Sequence, residues 1–97
     1  MAKILIIDDE RAIRNTLKEI LEFEGYIIEV AENGRIGLER ALSNSFDLIF
    51  SDIKMPEMDG MEFLRAYREG IVQHGEEAPV VMITGHGSVD SAVDALK

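Results

Sequence analysis

Four short apolar runs divide the chain, and segments with helical periodicity lie between them. The runs predict β-strands at residues 3–7, 26–30, 47–51 and 80–83. After the first run, Ile13, Leu17, Ile20 and Leu21 follow the i, i+4, i+7, i+8 spacing of one helix face. This alternation of strand and helix indicates βα units that build a parallel sheet.

Polar and glycine residues mark where the helices begin and end. Gly25 stands where a glycine commonly follows the C-terminal end of a helix, and Asn33 is placed to cap the start of a second helix. The pattern predicts that the second helix carries Leu38, Ala41 and Leu42, that a third carries Met61, Leu64 and Tyr67, and that a last one follows Ser88 with Val89, Ala92, Val93 and Leu96. Residues 70–79 show no clear pattern and are left as a connection.

The patterns within the strands predict their order in the sheet. The first strand is apolar on both faces, which is typical of a central strand. In the second strand Ile28 and Val30 alternate with Glu29, which favours an edge position. Polar residues that could bind a ligand or take part in a reaction follow strands one, three and four. We therefore expect these three strands to lie side by side. We therefore predict an α/β fold of the flavodoxin-like, doubly wound type with strand order 2-1-3-4.

Composition narrows the functional classes. The chain has 97 residues, enough for one domain, and its formal net charge is −9. Such a charge argues against direct nucleic-acid binding by this domain. The sequence shows no membrane-spanning segment and no signal peptide, and it contains no cysteine for a disulfide framework or a thiolate metal site. We therefore expect a cytoplasmic location.

Three aspartates carry the candidate chemistry. Asp8 and Asp9 come directly after the first strand, and Asp52 follows the third. If these strands are neighbours, the three carboxylates meet at the carboxyl edge of the sheet, where each pair repels by about 4 kcal/mol at ~4 Å and an effective dielectric of ~20. A hard divalent cation relieves this repulsion, which predicts a Mg²⁺ site.

The motifs around these residues resemble the receiver domain of two-component response regulators. The resemblance covers the chain from Lys3 onward and rests on IIDDE at residues 6–10, DLI at 47–49, SDIKMP at 51–56, MDG at 58–60 and ITGHG at 83–87. The TGHG run followed by an amphipathic helix is most similar to the nitrogen-regulation subgroup, which are transcriptional activators with a central ATPase domain.

The resemblance implies a role for each matching residue. Asp52 would accept the phosphoryl group from a sensor histidine kinase. Asp9 and Asp52 would bind Mg²⁺ directly together with the backbone carbonyl of Lys54, and Asp8 would act largely through water. Thr84 would hydrogen-bond the phosphoryl group as the switch hydroxyl. The Lys54 and His86 side chains would tune dephosphorylation. Lys54 is equally readable as a solvated lysine, and His86 fits a solvated loop residue better than a metal ligand.

The sequence departs from the family at its C-terminal end. Receivers have a fifth strand, which carries a lysine and an aromatic switch residue, followed by a fifth helix. Residues 1–97 contain neither this strand nor this helix. We therefore expect one receiver domain that is C-terminally incomplete, with an output domain or effector beyond Lys97. A fourth strand left without its neighbour would expose backbone groups and favour self-association.

Two other functions stay open from the sequence. One is a Mg²⁺-dependent phosphohydrolase with an aspartate nucleophile, although those enzymes usually carry DxD after the first strand, whereas this chain has Asp8-Asp9-Glu10. The other is an interaction module that is never phosphorylated. In the leading interpretation the chain is not an enzyme and catalyses at most its own phosphoryl transfer and dephosphorylation.

Overall fold

The computed structural model describes residues 2–74 and 77–83. Within them, a parallel four-stranded sheet has the order β2-β1-β3-β4, which confirms the predicted winding. The strands are β1 (Lys3–Ile7), β2 (Ile27–Ala31), β3 (Leu48–Asp52) and β4 (Val80–Ile83), and the helices are α1 (Arg11–Phe23), α2 (Gly34–Ser43) and α3 (Gly60–His74). No helix in this described part is both long and apolar enough to cross a bilayer.

The two faces of the sheet hold separate hydrophobic cores. Alternate residues of β1 point to opposite faces, so Ile4 and Ile6 pack with Leu17 and Leu21 of α1. On the other face α2 and α3 cover Leu5, Ile7 and Ile49, and α3 contributes Phe63 and Tyr67 to this second core. The predicted packing positions of α2 are confirmed, with Ala41 buried and Leu38 and Leu42 partly buried.

Two strand predictions were wrong by one residue. The second strand is Ile27–Ala31 rather than 26–30, and the third is Leu48–Asp52 rather than 47–51. In both cases hydrogen bonds with the neighbouring strand determine where the strand ends. The Asp8 N–H donates to the Ala31 carbonyl at 3.1 Å, and the Ile53 N–H donates to the Ile83 carbonyl at 3.2 Å. Asp52 is therefore the last residue of β3 and does not follow it.

The helix ends follow their local chemistry. Asn33 accepts a hydrogen bond from the Ile36 N–H at 2.8 Å, which confirms it as the cap of α2. Gly25 has φ +96°, the left-handed conformation in which a glycine after a helix carries no side-chain penalty. At α3 the Asp59 carboxylate accepts from the Glu62 N–H, and the Glu62 carboxylate accepts from the Asp59 N–H, which forms a capping box.

The third helix corrects two expectations. It runs through residue 74 and so occupies part of residues 70–79, for which the sequence predicts only a connection. Among the α3 side chains whose burial is described, Phe63 and Tyr67 are buried, whereas Met61 is 50% exposed and does not pack into the core. The Tyr67 hydroxyl accepts a hydrogen bond from the Ala78 N–H at 2.8 Å, which ties the helix to the start of β4. The helix predicted after Ser88 lies outside the described residues.

The loop between β3 and α3 contains a backbone strain. Glu57 has φ 68°, a value that is uncommon for residues other than glycine, and the Met58 N–H donates to the Pro56 carbonyl at 2.8 Å across it. A hydrogen bond from residue i+2 to residue i with positive φ at the centre is a γ-turn of the strained type. The exposed Glu57 side chain gives no packing in return.

Replacing Glu57 with glycine should therefore stabilise the protein. We expect Glu57→Gly to raise the free energy of unfolding by about 1 kcal/mol, because glycine adopts positive φ without the Cβ clash. Urea denaturation at equilibrium measures the change. Glu57→Ala is the matched control, since it removes the carboxylate and keeps the Cβ. A glycine variant no more stable than the alanine variant would contradict the strain.

Candidate functional site

The carboxyl ends of β1 and β3 bring the three predicted aspartates together. The parallel register pairs Ile7 with Ser51, so the residues that follow them, Asp8 and Asp52, come to the same edge of the sheet. One carboxylate oxygen each of Asp8, Asp9 and Asp52 lies within 4.8 Å of the others. The sheet therefore places three oxygen donors where a single cation could contact them.

The three carboxylates differ in their surroundings. Asp8 is 4% exposed, and its Oδ1 accepts a hydrogen bond from the Glu10 N–H at 2.9 Å. Asp52 is half-buried and Asp9 is exposed. This arrangement leaves Asp9 and Asp52 more open to solvent and to an incoming ligand than Asp8.

Burial and mutual repulsion disturb the titration of two of these groups. Burial, followed by the charges of Asp52, Asp9 and Glu10, raises the pKa of Asp8 to about 6, against the opposing effect of the Glu10 N–H. Burial and the charges of Asp9 and Glu10 also raise the pKa of Asp52, while the backbone N–H groups of Lys54 and Ile53 lower it. The cluster thus holds more negative charge than its surroundings neutralise, which favours binding of a cation.

Backbone contacts hold the cluster in place. The hydroxyl of Ser51, which is fully buried, donates to the Asp52 carbonyl oxygen at 3.1 Å. On the loop side, Gly60 approaches the Asp52 backbone so closely that an added Cβ would lie 2.4 Å from the Asp52 carbonyl oxygen. The Gly60 N–H donates to the Ile53 carbonyl at 2.8 Å. A glycine at the start of α3 therefore lets the helix pack directly against the end of β3.

The other predicted site residues divide into two groups. Lys54 lies two residues past Asp52 with its side chain exposed, and it lines an open cavity of about 450 Å³ together with Ile53, Met55, Pro56 and Asp59. Met55 beside it is buried and Met58 is partly buried, so both pack into the hydrophobic core. Thr84 and His86 lie outside the described residues, so their roles stay predictions.

Sequence reasoning missed Arg14 and gave Glu10 no role. The Arg14 guanidinium donates from Nη1 to the backbone oxygen of Asp8 at 2.8 Å, and the Glu10 charge raises the pKa of both Asp8 and Asp52. Glu10 could have been found, since it continues the acidic run after β1. Arg14 gives no such signal, because its contact is to a backbone atom six residues earlier.

Comparisons with known proteins agree with this geometry. The family described as "Response regulator receiver domain" matches residues 4–97. Response regulator MprA of Mycolicibacterium vanbaalenii is 36% identical over 94 residues, which cover 97% of this chain and 39% of that protein. The chain thus spans about two fifths of the length of this curated relative.

Solved structures show the same similarity in three dimensions. The chemotaxis protein CheY4 of Vibrio cholerae matches with a TM-score of 0.79 and 35% identity, over 99% of this chain and 78% of that one. The response regulator TrrA of Thermotoga maritima, solved in complex with Mg²⁺-BeF, matches with a TM-score of 0.78 and 35% identity, over 99% and 80%. By sequence and by fold, the chain belongs to the response regulator receiver domain family, the phosphorylation-dependent switches of two-component signalling.

Proposed function

We propose that Asp52 is the phosphoryl acceptor of this receiver domain and that Mg²⁺ binds beside it. The observation that carries the proposal is the meeting of Asp8, Asp9 and Asp52 within 4.8 Å at the end of two central strands. The complex of TrrA with Mg²⁺-BeF supports it, because that relative shares the fold and 35% of its sequence with this chain.

The donor set fits Mg²⁺. All three candidate ligands are carboxylate oxygens, the ligand type that this ion prefers. Asp9 and Asp52 would hold the ion directly, with the Lys54 carbonyl, because they are the more accessible carboxylates. The buried Asp8, already bonded to the Glu10 N–H, would act largely through water. When bound, the ion would neutralise the negative charge of the carboxylates and of the phosphoryl oxygens.

The protein's own part in the reaction is to position a nucleophile. A carboxylate oxygen of Asp52 attacks the phosphorus of a phosphohistidine in a sensor histidine kinase, a P–O bond forms and the P–N bond breaks. The leaving imidazole takes a proton from solvent, and Asp52 becomes an acyl phosphate. The Ser51 hydroxyl donates to the Asp52 carbonyl and Gly60 packs against the Asp52 backbone, so both would help to keep this nucleophile in position.

Further parts of the proposal rest on residues beyond those described. Thr84 would bind the transferred phosphoryl group, and Lys54 and His86 would tune its loss. An output domain beyond Lys97 agrees with the greater length of the MprA relatives. The nitrogen-regulation subgroup, the cytoplasmic location and self-association through the fourth strand stay predictions.

Phosphorylation at Asp52 can be tested by intact-protein mass spectrometry. After incubation with acetyl phosphate and Mg²⁺, we expect the protein to gain the mass of one phosphoryl group, and Asp52→Asn to gain none. Asp47→Asn, which changes an aspartate at the opposite end of β3, is the matched control and should label normally. Undiminished labelling of Asp52→Asn would move the acceptor to another residue. Turnover of the donor without mass gain would indicate a phosphohydrolase, and no reaction an unphosphorylated interaction module.

Mg²⁺ should stabilise the folded protein. Binding to the native state alone raises the free energy of unfolding by mass action. We expect millimolar Mg²⁺ to raise the Tm, and Asp9→Asn to weaken this effect more than Asp8→Asn, because Asp9 is the proposed direct ligand. A wild-type Tm that does not respond to Mg²⁺ would refute the metal site. If Asp8→Asn reduced the Mg²⁺-induced rise in Tm more than Asp9→Asn, Asp8 and not Asp9 would be the direct ligand.

Without metal, Asp8 should make the protein less stable as the pH rises. The pKa of Asp8 is about 6 in the folded protein against 3.8 for an ordinary aspartate, so folding favours the protonated acid. The resulting loss of stability is absent below pH 3.8, grows between about pH 4 and 6, and reaches at most about 3 kcal/mol.

Comparison with Asp8→Asn isolates this group. The wild-type minus variant difference in unfolding free energy, measured by urea denaturation in a metal chelator, should fall across this pH range. Added Mg²⁺ should oppose the fall, since the ion favours the charged carboxylate. A difference that is constant with pH would show that Asp8 titrates normally.

A further inference from the structure

A second cavity lies at the open edge of the sheet. It has a volume of about 220 Å³ and is lined by Arg14 of α1, by Val30, Ala31 and Glu32 at the end of β2, and by Ile36 and Arg40 of α2. Since β2 is the outermost strand on this side among the described residues, the cavity opens between the helices on the two faces of the sheet. It shares no lining residue with the carboxylate cluster.

Two arginines and one glutamate line the cavity, and the exposed Glu32 carboxylate forms no ion pair with either arginine among the described residues. Arg40 lies 3.5 Å from the Glu29 carboxylate, but the other oxygen of that carboxylate is already 2.9 Å from the Lys3 ammonium. Glu29 is thus shared between two cations. The ion pairs found within the described ranges involve Lys3, Arg35, Arg40 and Arg68 and do not include Arg14. Arg14 donates instead to a neutral backbone oxygen, so its charge has no carboxylate partner there.

The lining combines these two guanidinium groups with an apolar wall. A guanidinium carries five N–H donors in a planar fork. Among the residues that the structure describes, Arg14 and Arg40 each contact one protein oxygen. The remaining donors match a carboxylate or phosphate, which guanidinium binds through paired, charge-assisted hydrogen bonds. Val30, Ala31 and Ile36 offer apolar surface for the rest of such a ligand.

We propose that this cavity binds a small ligand with an oxyanion group, a carboxylate or a phosphate, attached to an apolar body. The oxyanion contacts Arg14 and Arg40, and the apolar body packs on Val30 and Ile36. The site is separate from the acceptor site and needs no Mg²⁺. Arg14 also donates a hydrogen bond to the Asp8 carbonyl, so this one side chain would contact both the ligand and the backbone of the carboxylate cluster.

The proposal can be tested by NMR titration of the protein labelled with ¹⁵N, in a metal chelator and at constant ionic strength. Benzoate and phenyl phosphate present the two oxyanions on the same ring, and phenol is the neutral analogue. We expect saturable shifts of the amide signals of Val30, Glu32 and Ile36 with at least one of the two oxyanions, and none with phenol. Binding of only one of them identifies the group, and binding of both shows recognition by the guanidinium groups alone.

Variants separate the site from general charge effects. Arg40→Gln should weaken binding about tenfold, since it removes a charged hydrogen-bond donor without touching Asp8. Arg14→Gln should weaken it similarly. Arg35→Gln is the matched control on the same helix, because Arg35 pairs with Glu39 at 3.2 Å and does not line the cavity. Equal affinity in all three variants, equal shifts with phenol, or no saturable shift with either oxyanion would overturn the proposal, and none of these results depends on phosphorylation of Asp52.

Discussion

The parallel hydrogen bonds between β1 and β3 fix the distance between the carboxylates of this domain. Asp8 and Asp52 are 44 positions apart in the chain, and only this pairing brings them to one edge. Their mutual repulsion disfavours the metal-free fold, so it must be outweighed by apolar packing on both faces of the sheet. Ile4 and Ile6 on one face and Leu5 and Ile7 on the other provide that packing directly beneath the site.

Much of the architecture could be predicted from the sequence because pattern and fold agree. β1 and β4 have the bounds that the sequence predicted, and the alternation around Glu29 correctly indicated an edge strand. The wrong bounds occur where contacts with residues distant in the chain determine the end of a strand or helix. The last bonds of β2 and β3 are made by residues on neighbouring strands, and the length of α3 depends on apolar contacts that a weak periodicity does not reveal.

The candidate site shows the same division. The three aspartates were predicted from their positions after apolar runs, because parallel strands end at a common edge. The different environments of these carboxylates could not be predicted, since burial of Asp8 depends on the surrounding chain. Arg14 and Ser51 contact the site by donating to backbone oxygens. Every residue has a backbone oxygen, so the sequence does not indicate which one accepts such a bond.

The two ends of the sheet should differ in their tolerance of insertions and deletions. At the carboxyl end, Gly60 is packed against the Asp52 backbone, so a length change there would move the acidic cluster. At the amino end, α1 finishes in Phe23, which is 91% exposed, and α2 finishes just before Asn44 in an exposed turn. Surface loops of this kind accept added residues with little loss of stability. Lengthening of the chain in related domains, and fusion of a reporter peptide, would therefore concentrate at the amino end.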